Sequence, residues 1–322
     1  MTLCPSRDLS TLRDRLSGTA CRGTATRAAL VRHRNFRNKR RSAPSAARPA
    51  SGRFERFRES MLVLRSLLFN ALFYLNLILQ MILWAPLLYL LPRKTAWFIP
   101  KFWVRTSFWL QERIVGTRIN IDGLDNLPEG PFILAPKHQS LWDAIAFLSY
   151  VRDPLYILKR ELVWIPLFGL YIKRMRLIPV NRGSRSKALR KVIIDTQREI
   201  ADDRQLIIYP EGTRRPPGAE PAYKYGIAEL YSRLNLPVVP VAHNAGLFWP
   251  RRKFLRYPGT LKVRFLPSIA PGLDREAFMS RLISDTENAC DVLLADAARQ
   301  PGHPPLPESA RQRLRDLGVP TA

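Results

Sequence analysis

The sequence predicts an α/β fold, in which a central, mostly parallel or mixed sheet is flanked by helices, with an N-terminal membrane-associated helical anchor. Two observations predict it. From about residue 114 onward, short apolar runs with strand character alternate with segments of helical periodicity, as in a sheet with helices on its faces. Before this part, residues 66–92 contain no Asp, Glu, Lys or Arg, and as a helix they would span the apolar core of a bilayer.

The first 60 residues differ in composition from the rest of the chain. They contain fifteen Lys and Arg against four Asp and Glu, and they lack apolar periodicity. Such a segment buries too little apolar surface to offset the entropy of ordering, so we predict that residues 1–60 form a disordered basic tail. Two alternatives stay open: an Arg-rich and Ser-rich leader, or a chain that truly starts at Met61, which directly precedes an apolar run.

Residues 61–113 are predicted to form the membrane anchor. Pro86 is expected to kink or end the apolar helix of residues 66–92. Charged residues then recur at intervals of seven, four and seven, which places them on one stripe of a second helix that is otherwise rich in aromatic residues: Lys94, Lys101, Arg105 and Glu112. Both flanks of the apolar run are basic, and a single span would leave one of them outside the cell. We therefore predict a two-helix anchor that enters the membrane and returns, with both ends in the cytoplasm.

An α/β domain is predicted over residues 114–299. Short apolar runs bounded by turn residues predict its strands: 117–121, 131–136, 155–158, 177–180, 206–209, 237–242 and 260–266. Apolar residues at helical spacing predict helices between them: 144–150, a segment ending near 171, one from 184 to about 200, 224–235 and one starting at 274. Residues 300–322 contain five Pro and are predicted to be a C-terminal tail.

The charge balance indicates an anionic partner. The chain has 52 Lys and Arg against 26 Asp and Glu, a formal net charge of +26, which suits nucleic acid, an anionic membrane surface or a phosphorylated substrate. The basic and aromatic residues of 248–256 fit contact with such a membrane surface. The three Cys lack paired or zinc-ligand spacing and the four His lie far apart, so we expect no disulfide framework, no metal and no cofactor.

A histidine and an aspartate mark the end of the strand 131–136. His138 follows the strand, and Asp143 lies five residues later, in the first turn of a helix that Ser140 is placed to cap. The backbone must reverse between them, so the two side chains can meet. An imidazole with an ordinary pKa of about 6.5 accepts a proton near neutral pH, and a carboxylate on its other nitrogen fixes the tautomer. Alone, a His and an Asp at this spacing favour a His bonded to a helix end; the downstream motifs make the pair a predicted general base.

Three further motifs accompany this pair. Tyr209 to Arg215 reads Tyr-Pro-Glu-Gly-Thr-Arg-Arg, residues 177–182 read Leu-Ile-Pro-Val-Asn-Arg, and residues 238–241 read Val-Val-Pro-Val. With Lys-His-Gln-Ser-Leu-Trp-Asp at 137–143, their order and spacing resemble the glycerolipid acyltransferase family with its His-x4-Asp motif. The likeness is strongest to bacterial 1-acyl-sn-glycerol-3-phosphate acyltransferases. One departure is Pro-Val-Asn-Arg at 179–182, where the family more often has Phe-x-Asp-Arg; the Arg is kept.

The resemblance implies which residues hold the acceptor. In the family, the motifs that end in Arg182 and Arg214 bind the phosphate of the acceptor. The residues themselves agree, because an Arg fork matches phosphate oxygens and loops beyond the carboxyl ends of parallel strands collect ligands. Lys159 lies in a third such loop and adds charge. The predicted substrate-binding residues are Lys159, Arg182, Glu211, Gly212, Thr213 and Arg214, with His138 and Asp143 catalytic and His243 structural.

The predicted reaction transfers a fatty acyl group from acyl-CoA or acyl-carrier protein to the sn-2 hydroxyl of 1-acyl-sn-glycerol-3-phosphate, which gives phosphatidic acid. No Ser or Cys has the nucleophile-elbow pattern, so direct attack by the bound hydroxyl is favoured. Alternatives are another acceptor (glycerol-3-phosphate or an amino-acid-linked lysolipid), a lipid hydrolase, or a basic nucleic-acid-binding membrane protein, for which no recognised binding module appears. The expected location is the inner membrane, with the catalytic domain on its cytoplasmic face and no nucleic acid bound.

Overall fold

The computed structural model of the chain describes residues 50–181 and 185–320. The predicted basic tail up to residue 49 and the predicted phosphate ligand Arg182 therefore lie outside the described residues. Within the described part, strands alternate with helices in the predicted order, and all predicted strands are present with small shifts at their ends. The mixed α/β class predicted from the sequence is confirmed.

The described part of the chain contains one sheet of seven strands in the order β1-β7-β6-β2-β5-β3-β4. The strands are β1 Thr117–Asp122, β2 Ile133–Pro136, β3 Pro154–Lys159, β4 Ile178–Val180, β5 Gln205–Ile207, β6 Val238–His243 and β7 Gly259–Phe265. Neighbours pair in parallel except β6 and β7, which are antiparallel. The carboxyl ends of β2, β3, β4, β5 and β6 consequently share one edge, where parallel sheets collect their ligands.

Strand β2 lies in the middle of the sheet and is buried on both faces. Phe132 and Leu134 join one apolar cluster, whereas Ile133 and Ala135 join another on the opposite face. A continuous apolar run is what a strand covered on both sides requires. Three helices line the second cluster: α7 Arg185–Ile200, α8 Gly226–Leu234 and α10 Arg275–Ala298. The first cluster is covered by α5 Leu141–Ala146 and by the N-terminal helices.

The described residues before the sheet form a helical hairpin. Its helices are α1 Ala50–Leu83, α2 Ala85–Leu90, α3 Arg93–Ala96 and α4 Phe98–Leu110, followed by a π-helical turn at Gln111–Val115. Helix α4 folds back along α1, because Trp84 contacts Phe98 near the turn and Asn76 Nδ2 donates to Ser107 Oγ at 3.1 Å farther along. Helix α1 ends at Leu83, just before Pro86, which agrees with the predicted end of the apolar helix. Pro86 lies in the first turn of α2, where a helix tolerates a missing N–H.

One boundary of this hairpin differs from the sequence prediction. Helix α1 starts at Ala50, inside the segment predicted to be disordered, because the strong apolar helix continues toward the N-terminus through residues with good helix propensity. Within the described residues, Glu55–Leu83 is the one helix long and apolar enough to cross a membrane. The face that it turns away from α4 and the sheet exposes Leu64, Leu68, Leu75, Ile78, Leu79 and Ile82.

The hairpin turn is fastened to the sheet through Asp153, the residue before β3. Arg93 Nη1 and Trp97 Nε1 donate to Asp153 Oδ1 at 2.5 and 2.8 Å, and Arg204 Nε donates to the same oxygen at 3.2 Å. Burial alone would raise the pKa of Asp153, but the hydrogen bond from Arg93 and the charges of Arg204 and Arg93 lower it below its ordinary value. This buried cluster joins the hairpin to the edge of the sheet opposite the strands' carboxyl ends.

We expect Asp153→Asn to lower the free energy of unfolding by about 3 kcal/mol at neutral pH, because Arg93 loses its nearest carboxylate and the buried Arg204 keeps only Glu199. The folded-state pKa of Asp153 is depressed, so its contribution is present above the unfolded pKa of about 3.9 and is lost as pH falls through the folded pKa. Urea unfolding in detergent at a series of pH values measures this. The difference in free energy of unfolding between variant and wild type should shrink below about pH 4. A difference independent of pH would contradict a stabilising role of the ionised Asp153. Asp202→Asn is the control, since Asp202 is 44% exposed.

The C-terminal prediction was wrong. Residues 300–322 were expected to be a tail, but the segment carries α11 Glu308–Asp316 and packs onto the domain. Ala310 and Leu314 are fully buried in the main apolar cluster, and Ser309 Oγ donates to the Pro217 carbonyl at 2.7 Å. Five Pro indicate an irregular segment, but two apolar residues at helical spacing give α11 its buried face.

Candidate active site

The side chains of His138 and Asp143 meet just beyond the end of β2. Ser140 caps α5, and its Oγ accepts from Trp142 N at 2.8 Å. Asp143 Oδ2 accepts from the backbone N–H groups of Gln139 and Ser140 at 2.8 and 2.6 Å, and its Oδ1 lies 2.6 Å from His138 Nδ1. Asp143 is fully buried, whereas the side chain of His138 keeps 15% of its surface exposed. The carboxylate thus fixes Nδ1 as the donor and leaves Nε2 for a substrate.

Tyr209 holds the imidazole from a second side. The rings of His138 and Tyr209 stack with centroids 4.0 Å apart, and the Tyr209 hydroxyl donates to the backbone carbonyl of Asp143 at 2.9 Å. Burial raises the pKa of the Tyr209 hydroxyl well above its ordinary value, so it stays protonated and remains a donor. Tyr209 was not predicted as a site residue, although it opens the Glu-Gly-Thr-Arg motif just after β5, the strand next to β2.

His243 lies behind Asp143, where it is buried and bonded to the main chain; its structural role stays a prediction. Its Nε2 donates to the Lys137 carbonyl at 2.7 Å, and Ala245 N donates to its Nδ1 at 3.3 Å. One ring nitrogen donates and the other accepts, which is the pattern of a neutral imidazole. Burial lowers the pKa of His243, which also favours the neutral form. Its Nε2 is 3.6 Å from Asp143 Oδ2, so this neutral ring closes the inner side of the pair without adding charge.

The Glu-Gly-Thr-Arg loop is tied to the main chain of His138. The N–H of Arg215 donates to the His138 carbonyl at 2.8 Å. Gly212 has φ +64°, the left-handed conformation that favours glycine, and an added Cβ would lie 3.1 Å from Lys224 Nζ. Thr213 is exposed and Arg214 is half-buried. Among the described residues, the Arg214 guanidinium takes part in no ion pair with a carboxylate, so its positive charge is unneutralised there, on a loop whose main chain is bonded to that of His138.

The structure places Glu211 inside the protein. Its side chain is 1% exposed and its Oε1 accepts from Lys137 Nζ at 3.1 Å. Lys137 Nζ also donates to Glu287 Oε1 at 2.6 Å, which accepts from the Tyr223 hydroxyl at 2.8 Å. Burial raises the pKa of Glu211, although the charge of Lys137 opposes this shift. Burial alone would lower the pKa of Lys137, but the carboxylates of Glu287 and Glu211 raise it above its ordinary value. In this arrangement Glu211 supports the loop from below, and its predicted contact with the acceptor stays a prediction.

Lys159 ends β3 and is exposed. Strand β5 separates β3 from β2, so these two strands lie about 10 Å apart at the usual strand spacing. No contact of the described residues links Lys159 to His138 or Arg214. Arg182 is outside the described part. Across residues 50–181 and 185–320, His, Cys, Asp and Glu nowhere form a group of three or more that could hold a metal ion. The site therefore joins a positioned base to a loop that carries the cation of Arg214.

Comparison with known proteins relates this arrangement to one family. A family model described as Acyltransferase matches residues 118–244. The 1-acyl-sn-glycerol-3-phosphate acyltransferase of Pseudomonas aeruginosa is 32% identical over 233 residues, which are 70% of this chain and 89% of that protein. The corresponding alpha enzyme of Mus musculus is 26% identical over 161 residues, 49% of this chain and 56% of that protein.

A solved structure shows the same fold. The crystal structure of the 1-acyl-sn-glycerophosphate (LPA) acyltransferase PlsC from Thermotoga maritima matches with a TM-score of 0.59 and 21% sequence identity. The match covers 71% of this chain and 97% of that chain. At 21% identity this match shows a shared fold. The family relationship is shown by the sequence similarity to the Pseudomonas aeruginosa protein.

Proposed function

Because this chain belongs to the 1-acyl-sn-glycerol-3-phosphate acyltransferase family, we propose that it transfers a fatty acyl group to the sn-2 hydroxyl of 1-acyl-sn-glycerol-3-phosphate and so forms phosphatidic acid. The observation that carries this proposal is the bonded pair of His138 and Asp143 beside Arg214, whose charge no carboxylate neutralises among the described residues. A base and a cation at one sheet edge suit an acceptor with both a reacting hydroxyl and a phosphate.

His138 acts as the general base in this proposal. Its Nε2 takes the proton of the acceptor hydroxyl while the hydroxyl oxygen attacks the thioester carbonyl of the donor. The tetrahedral intermediate collapses, the C–S bond breaks, and the proton on His138 passes to the leaving thiolate. Asp143 holds the Nδ1–H tautomer and stabilises the imidazolium. A positioned general base of this kind contributes about 10² to 10⁴ in rate. No covalent acyl-enzyme is required.

Arg214 binds the acceptor phosphate through its planar fork. Gly212 lets the backbone of the loop approach the ligand, and the exposed Thr213 hydroxyl offers a further contact. Arg182 and Lys159 are proposed to contribute positive charge at the carboxyl ends of β4 and β3. This set orients the sn-2 hydroxyl toward His138, and positioning of this kind lowers the entropic part of the barrier.

The donor is proposed to be acyl-CoA or acyl-carrier protein. The exposed apolar face of α1 supports insertion of the hairpin into the bilayer that holds the acceptor, and we propose the inner membrane with the catalytic domain on the cytoplasmic face. Reporter fusions at the C-terminus test the orientation: a cytoplasmic signal supports it, whereas a periplasmic signal contradicts it.

The function is tested with purified protein, labelled 1-acyl-sn-glycerol-3-phosphate and either donor, with the products identified by mass. We expect phosphatidic acid from at least one donor, and a much lower kcat/KM when glycerol-3-phosphate replaces the lysolipid. Acylation of glycerol-3-phosphate alone would contradict the proposed acceptor, and release of free fatty acid in place of phosphatidic acid would indicate a hydrolase.

A further inference from the structure

A loop after β6 brings a second guanidinium group to the active site. Helix α9 Ala245–Phe248 follows β6, and the chain then passes through the half-buried Arg251. Arg251 Nη1 donates to the Arg214 carbonyl at 2.6 Å. The Arg214 carbonyl and the Arg215 N–H belong to one peptide group, and this N–H donates to the His138 carbonyl at 2.8 Å. A single peptide group therefore separates the Arg251 guanidinium from the main chain of His138.

The Arg251 guanidinium can donate further hydrogen bonds. Arg251 Nε is enclosed but has no partner among the described residues, and Nη1 is bonded to a neutral carbonyl rather than a carboxylate. Among the described residues Arg214, Arg251 and Arg252 form no ion pair with any Asp or Glu. Burial and the neighbouring charges of Arg252 and Arg214 lower the pKa of Arg251. Three clustered cations without a counter-charge are unfavourable unless an anion joins them.

The loop that carries Arg251 is held in place by helix α1. Ser66 Oγ accepts from Arg256 N at 2.9 Å, and Asn70 Nδ2 donates to the Phe254 carbonyl at 3.0 Å. Trp249 packs against Phe69 with centroids 5.2 Å apart. The loop is thus fixed on both sides of Arg251. The charge of Arg251 is therefore positioned before a ligand binds, which reduces the entropic cost of binding.

We propose that Arg251 binds the phosphate of the acceptor together with Arg214. A phosphomonoester presents three anionic oxygens, which two guanidinium groups from adjacent loops can share through charge-assisted hydrogen bonds. This inference rests on the proposed function, and it assigns to Arg251 a role beyond contact with a charged membrane surface. The same phosphate chemistry occurs in anionic bilayer lipids, so the test must separate the two sources.

The test uses the full chain in uncharged detergent micelles, where no anionic bilayer lipid is present. Arg251→Ala should raise the KM for 1-acyl-sn-glycerol-3-phosphate about 10-fold or more, as expected for loss of a hydrogen bond to a charged group, while kcat and the KM for the donor change less than about threefold. Lys253→Ala is the matched control, because it removes one exposed charge from the same loop and should leave the acceptor KM within about twofold.

Arg251→Gln separates charge from loop positioning. The Gln amide retains a donor for the Arg214 carbonyl but carries no charge, so the acceptor KM should stay elevated. A wild-type KM in Arg251→Gln would show that Arg251 only positions the loop, and would overturn the inference. An unchanged KM of Arg251→Ala in micelles, with weaker binding to vesicles containing phosphatidylglycerol, would assign Arg251 to the membrane and also overturn it.

Binding of 1-acyl-sn-glycerol-3-phosphate without donor distinguishes failure of this inference from failure of the proposed function. Wild-type turnover together with equal acceptor affinity of wild type and Arg251→Ala would leave the function standing and reject the role of Arg251. Absence of wild-type turnover with either donor would reject the function itself. Weaker acceptor binding by Arg251→Ala than by Lys253→Ala supports the inference.

Discussion

His138→Ala is expected to lower kcat about 10⁴-fold, the upper end of what a positioned base contributes. The variant removes Nε2, the nitrogen that takes the acceptor proton in the proposed mechanism, while the buried Asp143 keeps its bonds to the N–H groups of Gln139 and Ser140. The fold should therefore survive, which circular dichroism and thermal unfolding of the purified protein can verify. Formation of labelled phosphatidic acid measures the loss of activity.

Two further variants make this result specific. Asp143→Asn should lower kcat about 10²-fold, because it disturbs the tautomer of His138, and it should also weaken the cap of α5 by about 1 kcal/mol. His303→Ala is the control, since His303 bonds to the neighbouring Pro304 carbonyl outside the site, and its rate should equal that of the wild type. If His138→Ala kept more than about a tenth of the rate, base catalysis by His138 would be wrong.

Arg214→Ala is expected to raise the KM for 1-acyl-sn-glycerol-3-phosphate about 30-fold, within the range for loss of a charge-assisted hydrogen bond. Arg214 is half-buried on a loop whose main chain is bonded to that of His138. In the proposed mechanism it binds phosphate and takes no part in proton transfer, so its removal should affect acceptor binding far more than kcat. Initial rates at varied acceptor and fixed donor concentrations measure the effect.

The matched variant is Arg214→Lys, which keeps the charge but loses the planar fork. Its KM should lie between those of wild type and Arg214→Ala. An Arg214→Ala protein with unchanged acceptor KM and full activity would contradict a phosphate-binding role and would favour a hydrolase, which needs no phosphate ligand.

Much of the fold and the reacting pair could be predicted because the signals are local. Each strand is a short apolar run between turn residues, and β2 shows burial on both faces in its unbroken apolar sequence. The pairing of His138 with Asp143 depends only on a strand end, a capping Ser140 and one helical turn. These features lie within seven consecutive residues, so no knowledge of the sheet order is needed.

The residues that were missed act across the sheet. Tyr209 reaches His138 because β5 pairs with β2, and Arg251 reaches Arg214 because β6 pairs with the other edge of β2. Strand order does not follow from apolar patterning, so neither contact could be predicted. Glu211 was expected at the ligand, but its motif gives no sign of the distant Glu287 that shares Lys137 with it.

Helix α11 was missed for a different reason. The prolines before it are compatible with an irregular segment, and its buried face consists of only Ala310 and Leu314. That face gains its stability from packing on residues far away in sequence, as Ser309 and Pro217 illustrate. Short helices depend on such tertiary packing rather than on propensity, which makes them hard to recognise in a sequence.

The central claim, direct attack by a hydroxyl that His138 deprotonates, is tested most directly by release of the donor's free thiol with and without acceptor. With 1-acyl-sn-glycerol-3-phosphate, thiol release should match phosphatidic acid formation and be lost in His138→Ala. Without acceptor, neither a burst nor steady release should appear. A burst equal to the enzyme concentration would reveal an acyl-enzyme, and steady acceptor-independent release would reveal hydrolysis; either result would contradict the account.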